Sequence, residues 1–316
     1  MTSPITVAGI DTSKAKLDVA IDRSSQCWQV ENSTDGWRLL ADRLGKAKVT
    51  RIGIEASGGY ERGVVAYLRR RKLTVLVLQP LQVKALARLH LKRAKNDRLD
   101  AFLIAACAAA IDPRTFEPDT RLEELAHHLT FIEQTEEDIA RIKTRLEHIH
   151  APRLRRIALA DIARLKTRRK AEIARIDQKL RKHDDLARRL DLVLSVPGIG
   201  ERTAIALIVR MPELGLVSRE EAAALAGLAP YDDDSGFRKG MRHIAGGRGR
   251  VRRSLYAAAL PAAFQWNRAL IALYQRLIAA GKPHKLALVA CARKLLVFAN
   301  TVLARGTPWV DRTAAA

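Results

Sequence analysis

The chain has 316 residues, 48% of them hydrophobic and 5% aromatic, which is enough apolar material for a buried core and makes two domains the default expectation. Lys and Arg number 56 against 34 Asp and Glu, a formal net charge of +22. Self-repulsion on that scale points to a polyanionic partner, nucleic acid first, because phosphate contacts release counterions and dominate affinity.

In chain order, "ITVAGID" and "KLDVAID" are short apolar runs around the turn "TSKA", which predicts an antiparallel hairpin. "QCWQVEN" reads as a third strand. "STDGWRLLADRLGKA" opens on cap residues and places Trp37, Leu40 and Leu44 at helical spacing. "VTRIGIEA" reads as strand, "YERGVVAYLRRRK" as helix and "LTVLVLQP" as strand. Three strands, helix, strand, helix, strand is the order of a ribonuclease H-like fold, a central sheet flanked by helices. The first domain is expected over residues 1–117.

Residues 118–190 change character. Leu122, Leu125, Leu129, Ile132, Ile139, Leu146 and Ile149 follow three-four spacing. The run breaks at Pro152, and Ile162, Leu165, Ile173, Ile176, Leu180 and Leu190 carry a looser stripe beyond it. The pattern predicts a helical hairpin of coiled-coil type, each arm roughly 40 to 55 Å long. Such an arm pairs with another copy or lies along nucleic acid. Glu136 and Lys143 interrupt its heptads, and a plain helical linker is the alternative.

The third domain, 191–316, is expected to be mainly helical. "SVPGIGERTAIALIVRM" resembles a helix-hairpin-helix turn, whose glycines Gly198 and Gly200 would let backbone N–H groups approach a phosphate. "GFRKGMRHIAGGRGRVRRSLYAAAL" is a basic glycine-rich loop entering a helix. Its Arg238, Lys239, Arg242, Arg248, Arg250, Arg252 and Arg253 are candidate contacts to the phosphates of DNA or RNA. A solvated tip is the alternative.

Cys27, Cys107 and Cys291 show no metal-ligand spacing and are expected to be buried thiols of a reducing cytosol. The start carries no signal-peptide pattern, and no apolar run reads as long enough to span a bilayer. A cytoplasmic protein without a membrane partner is expected.

Four acids stand out. Asp11 and Glu55 follow apolar runs and precede polar turns, which places them at strand ends. Asp97 and Asp100, three residues apart in "KNDRLDAFLIAA", share one helix face. A helix crossing the sheet would present both to the strand-end acids. Four carboxylates in one pocket stay ionised only around cations, and magnesium is the hard, oxygen-loving choice. A pair of such ions would clamp a scissile phosphate. The alternative is ordinary turn and cap chemistry, with Asp97 and Asp100 paired to Arg93 or Arg98.

"GIDTSKAKLDVAI", "IEASGGYE" and "KNDRLDAFLIA" together resemble the N-terminal motifs of the bacterial insertion-sequence transposase family one-hundred-and-ten, with its eleven-eleven subgroup and the Piv DNA invertases. "SVPGIGERTAIALI", "ALAGLAPYDDDSG" and "HIAGGRGRVRRSLYAAAL" resemble the C-terminal transposase domain of the same family, so the likeness covers nearly the whole chain. It implies a RuvC-like domain whose DEDD acids match Asp11, Glu55, Asp97 and Asp100, with Mg²⁺ as cofactor. It also implies a serine in the pattern Pro-x-x-x-x-Ser-Gly, which falls on Pro230, Ser235 and Gly236. In the family that serine attacks DNA and forms a covalent link to a phosphate. Members are guided by a noncoding bridge RNA from the element, which pairs with donor and target DNA.

By its residues alone, "YDDDSGF" is a turn, and a serine hydroxyl needs a base or metal to become nucleophilic. The roles of Asp232, Asp233 and Asp234 stay open. The expected activity is that of an RNA-guided recombinase for transposon excision and insertion, working through a phosphoserine as a dimer or tetramer. Its rivals are a RuvC-like metal-dependent endonuclease that cuts with water, as a junction resolvase does, and a non-catalytic nucleic-acid binder.

Overall fold

In the first third of the chain, apolar runs too short for helices alternate with amphipathic segments, and the result is a sheet with helices on both faces. The computed structural model describes residues 5–89, 97–111, 119–231, 240 and 243–310. The chain divides into two compact units, Met1–Thr115 and Phe116–Ala316. The helical hairpin expected over 118–190 belongs to the second unit.

The first unit holds β1 (Val7–Thr12), β2 (Lys16–Ile21), β3 (Cys27–Glu31), α1 (Thr34–Lys46), β4 (Arg51–Glu55), α2 (Arg62–Arg70), β5 (Thr74–Leu78), α3 (Pro80–Leu89) and α4 (Asp97–Ala110). Strand and helix order through β5 is the order expected from the sequence. The sheet runs β3-β2-β1-β4-β5, with β1 parallel to β4, β4 parallel to β5, and the β1–β2 and β2–β3 pairs antiparallel. Parallel neighbours need crossovers, which α1 and α2 supply. Helix α1 starts where Ser33 accepts from the Gly36 amide.

The strand period of two sorts the side chains. Ala8, Ile10, Leu17, Val19, Ile52 and Ile54 face Leu40, Leu44, Val64 and Leu68 of α1 and α2. The alternate positions, including Gly9, Asp11, Gly53 and Glu55, face α4. A Cβ at Gly9 would lie 2.1 Å from the Ala101 carbonyl oxygen and 2.3 Å from the Ala105 nitrogen. One at Gly53 would lie 2.6 Å from the Ala108 Cβ. The two glycines therefore let α4 rest directly on the backbone of the central strands.

The second unit is almost wholly helical. It contains α5 (Thr120–Leu146), α6 (Pro152–Arg181), α7 (Asp184–Leu194), α8 (Glu201–Arg210), α9 (Arg219–Ala226), the ribbon β6 (Pro230–Tyr231) and β7 (His243–Ile244), α10 (Gly249–Pro261), a π-helical turn Ala262–Trp266, α11 (Arg268–Ala279) and α12 (His284–Arg305). Helices α5 and α6 form the hairpin broken at Pro152. The sequence stripe that ran on to Leu190 is divided: α6 ends at Arg181 and Leu190 lies on α7. Leu122, Leu125, Leu129, Ile132, Ile176 and Leu180 join one core with α7, α8, α10 and α12. The base of the hairpin is thus anchored by burial.

Helix α12 corrects one expectation. By length and composition its 22 residues could cross a membrane, because Arg293 and Lys294 do not break the helix. Leu288, Cys291, Leu295, Leu296 and Ala299 bury it in the core of the unit instead.

Candidate active site

Asp11 and Glu55 occupy neighbouring strands. The parallel register pairs Ile10 with Ile54, so each acid lies one residue beyond that pair, at the C-terminal ends of β1 and β4. Parallel neighbours run about 4.8 Å apart. Both side chains are half-buried. Each follows a glycine by two residues, so each shares the α4 face with that glycine.

The direction of α4 follows from its contacts. Its start, at Ala101, meets Gly9; Ile104 and Ala108 meet Gly53; and its end is tied down by Arg51 at the opposite end of β4. The Arg51 guanidinium donates to the carbonyls of Ala108 and Ile111 at 3.1 and 3.0 Å. Those are helix-terminal acceptors that lack partners within the helix. The helix therefore runs against the strands, and its first turn reaches the strand ends that carry Asp11 and Glu55. Asp100 is half-buried in that turn, and Asp97 is the first residue of the helix. The Asp97 side chain lies outside the described residues.

Two further acids build this corner. Asp18 of β2 sits opposite Asp11 in the antiparallel register, on the same face, and is 9% exposed. The Gln29 amide donates to it at 2.8 Å and Lys16 lies 3.5 Å away, which offsets the repulsion of two carboxylates placed across from each other. Asp18, Gln29 and Ala101 line a small pocket beside the strand ends. Glu61 organises the loop after Glu55. Its carboxylate accepts from the amides of Ser57 and Gly59 at 3.1 and 2.8 Å and from the Ser57 hydroxyl at 3.1 Å. Burial pushes the Glu61 carboxyl up, but these hydrogen bonds and one from its own amide together hold it below the usual range. Sequence reading missed both acids. Hairpin register would have found Asp18, since strand partners share a face.

The donor set is all carboxylate oxygen, the chemistry that suits a hard divalent cation. Among the described residues, no group of three or more His, Cys, Asp or Glu side chains closes on a common point. Asp11 and Glu55 supply the adjacent pair, and the side chain of Asp97 lies outside that comparison.

In the second unit, Pro230 lies on β6, and Tyr231 pairs with His243. The candidate nucleophile Ser235, with Gly236 and the acids Asp232, Asp233 and Asp234, falls between these strands and outside the described residues, as do Arg238, Lys239 and Arg242. The other candidate arginines are engaged inside the protein. Arg248 pairs with Glu213 and Arg250 with Glu133. Arg252 donates to the carbonyls of Gly227 and Gly246 at 3.2 and 2.7 Å, and Arg253 donates to Glu137 at 3.0 Å. Gly198 has φ +97°, and a Cβ there would meet the Ala262 Cβ at 2.3 Å, so close packing explains this glycine. Gly200 caps α8. Of the three thiols, Cys107 and Cys291 are buried as expected, and burial pushes the Cys291 thiol up to about 11. Cys27 is only half-buried.

Two family models match the chain. One, a DEDD-type IS110 transposase, matches residues 8–150, and the other, described as transposase IS116/IS110/IS902 family, matches 190–275. Both matched segments are similar to IS110-family transposase domains. The first match contains Asp11, Glu55, Asp97 and Asp100, and the second contains Pro230 and Ser235. The pilin gene-inverting proteins of Moraxella bovis and Moraxella lacunata are each 26% identical over 318 residues, covering 94% of this chain and 97% of the relative. T. thermophilus RuvC in complex with Holliday junction substrate is a structural neighbour at 19% identity and TM-score 0.27, over 33% of this chain and 92% of its own. Both matching models are of transposases, and both relatives are named for inverting a pilin gene.

Proposed function

We propose that the chain is a transposase that excises and integrates an insertion sequence through a phosphoserine intermediate, guided by a bridge-type RNA from the element. The observation that carries the acidic half of this reading is the convergence of the β1 and β4 ends with the first turn of α4 on one face of the sheet. Asp11, Glu55, Asp97 and Asp100 would hold Mg²⁺ there, and the ion would supply positive charge for the phosphate oxygens of the transition state. Asp18 and Glu61 hold the shape of that corner, Asp18 from the adjacent strand and Glu61 through the loop.

The Ser235 hydroxyl attacks phosphorus, forming a P–O bond to serine as the bond to a deoxyribose oxygen breaks. That oxygen leaves with a proton and becomes a strand hydroxyl. Attack by the hydroxyl of the exchanged strand reverses the step and returns Ser235, so joining needs no nucleotide hydrolysis. Donor and target DNA are the substrates. Arg238, Lys239 and Arg242 contact phosphate. Arg248, Arg250, Arg252 and Arg253 act mainly by fixing the helices that carry this basic segment. Two or four copies assemble through the hairpin, whose tip exposes Leu154, Ile157 and Leu159 at 52%, 49% and 47%.

The test is an excision assay with Asp11→Asn and Ser235→Ala, combined with mass spectrometry of protein trapped on nicked DNA in Mg²⁺. Both variants are expected to lose joined product by at least a hundred-fold, the range for loss of a nucleophile or of charge stabilisation. A nucleotide adduct is expected on Ser235. Cleavage that persists in Ser235→Ala but not in Asp11→Asn would replace this reading with the metal-dependent endonuclease.

A further inference from the structure

The chain has only 15 Phe, Trp and Tyr residues, and two of them, Phe264 and Trp266, stand exposed on one short turn of the second unit. Helix α10 reaches Pro261, which lacks the amide needed to continue a regular ladder. The backbone widens into the π-turn Ala262–Trp266, where the Asn267 amide donates to the Ala262 carbonyl at 3.0 Å. Such turns recur at functional positions. Here the widening leaves Phe264 50% exposed and Trp266 59% exposed.

Phe264 does not stand alone. Its ring meets Tyr274 of α11 edge-on at 4.9 Å between centroids, and lies 6.4 Å from the ring of His284, tilted by only 23°. Tyr274 and His284 are also edge-to-face, and the Tyr274 hydroxyl lies 2.7 Å from His284 Nδ1. Three elements therefore hold one another in a fixed cluster that is open to solvent on one side. Asn267 pins the turn from below. It is 3% exposed, donates to the Pro197 carbonyl at 2.9 Å and caps α11. Through Asn267 and Ala262, the aromatic turn is packed against the Pro197–Gly198 turn.

Charge completes the picture. No Asp or Glu occurs between Asp234 and Asp311, while fourteen Lys and Arg do. Arg268, Lys282 and Lys285, which lie among and just beyond the ring-bearing residues in sequence, are exposed. An exposed, preordered ring cluster in a stretch without a single carboxylate matches the way proteins hold unpaired nucleic-acid bases: rings stack on bases while cations track the backbone. A duplex, with its bases already stacked, offers nothing to such a surface.

We infer that the Phe264, Tyr274 and His284 cluster, with Trp266 exposed on the same turn, forms a stacking platform for an unpaired nucleobase of a single strand, DNA or RNA. The inference rests on the nucleic-acid side of the proposed function and not on its chemistry. Titrating the full chain with oligo-deoxythymidine, oligouridine and a duplex of equal length, by fluorescence anisotropy, tests it. Phe264→Ala and Trp266→Ala are expected to weaken single-strand binding roughly five- to a hundred-and-fifty-fold, the range for one lost stacked base. Duplex binding is expected to stay within two-fold. The DNA and RNA arms show which strand the platform prefers. Phe264→Tyr, which keeps a ring, is expected to retain the affinity. Unaltered single-strand affinity in both alanine variants, or equal losses for single strand and duplex, would overturn the inference. A second measurement uses the unaltered chain: 5-iodouracil photo-cross-linking should yield adducts on Phe264, Trp266, Tyr274 or His284, and adducts found only elsewhere would overturn it. Ser235→Ala is expected to give the same cross-links, so a failed recombination mechanism leaves this result readable.

Discussion

At the scale of single residues, Gly9 shows how the site depends on an absent side chain. Its missing Cβ admits the backbone of α4 at Ala101 and Ala105, and backbone cannot step aside as a flexible side chain can. Gly9→Ala is expected to destabilise the first unit by about 3 kcal/mol through overpacking. Gly45→Ala, in α1 with open space around it, should stabilise by about 0.5–1 kcal/mol. Urea denaturation of both variants checks this, and equal effects would remove the argument that α4 is seated on Gly9. Glu61 gives a pH-dependent counterpart. Its folded carboxyl lies below the ordinary value of 4.5, so its contribution is fully present above that pH and fades as acid titrates the folded group. Glu61→Gln removes the charge from three accepted hydrogen bonds with Ser57 and Gly59 and is expected to cost about 1.5–3 kcal/mol at neutral pH. It should also flatten the stability profile below pH 4.5. An acid limb as steep as that of the unaltered protein would assign it to other carboxylates.

At the scale of elements, one buried acid adds to the apolar anchoring of the hairpin within the second unit. Glu133 of α5 is 6% exposed and receives Arg210 of α8 at 2.9 Å, Arg202 at 3.7 Å and Arg250 of α10. Burial pulls the Arg210 guanidinium down, and Glu133 opposes that shift. Removing the acid leaves three guanidinium groups crowded around a buried vacancy. Glu133→Ala is therefore expected to destabilise the unit by about 3–5 kcal/mol, and the same urea experiment on the full chain reads it. The elements themselves were legible because their signals are local. The hairpin turn at "TSKA", the Ser33 cap and the Pro152 break each act within a few residues. What was not legible depends on pairing across the chain. The seating of α4 arises from Gly9 and Gly53, more than forty positions apart in sequence. Asp18 becomes part of the acidic corner only through register, and Arg248, Arg250, Arg252 and Arg253, which read as a phosphate track, are engaged by Glu213, Glu133, Glu137 and two carbonyls of the same chain, Arg253 while staying exposed. The π-turn follows from Pro261 inside a helix, whose sequence signal is a single residue in an alanine-rich run.

At the scale of the molecule, the question is where a charge of +22 meets its partner. Much of the arginine is occupied internally, so total charge overstates the contact surface. Helix α6 keeps a local excess of base even though several of its arginines are paired. It carries eleven Lys and Arg against three Asp and Glu, whereas its hairpin partner α5 carries more acids than bases. Lys166 and Lys170 are exposed one turn apart, and with Arg169 they line a pocket that also touches Glu201 at the start of α8. If nucleic acid lies along this helix, each lysine neutralises about one phosphate and releases its counterions. The slope of log affinity against log salt should then fall in magnitude by about 0.9 per lost contact. Lys166→Ala with Lys170→Ala is expected to lower the duplex-binding slope by about 2. Alanine is the better helix former at exposed positions, so the helix is retained. Anisotropy titrations across a range of salt concentrations measure the slope directly. A double variant with weaker binding but an unchanged slope would mean that these lysines act through the fold, and an unchanged affinity would move the polyanion elsewhere on the second unit.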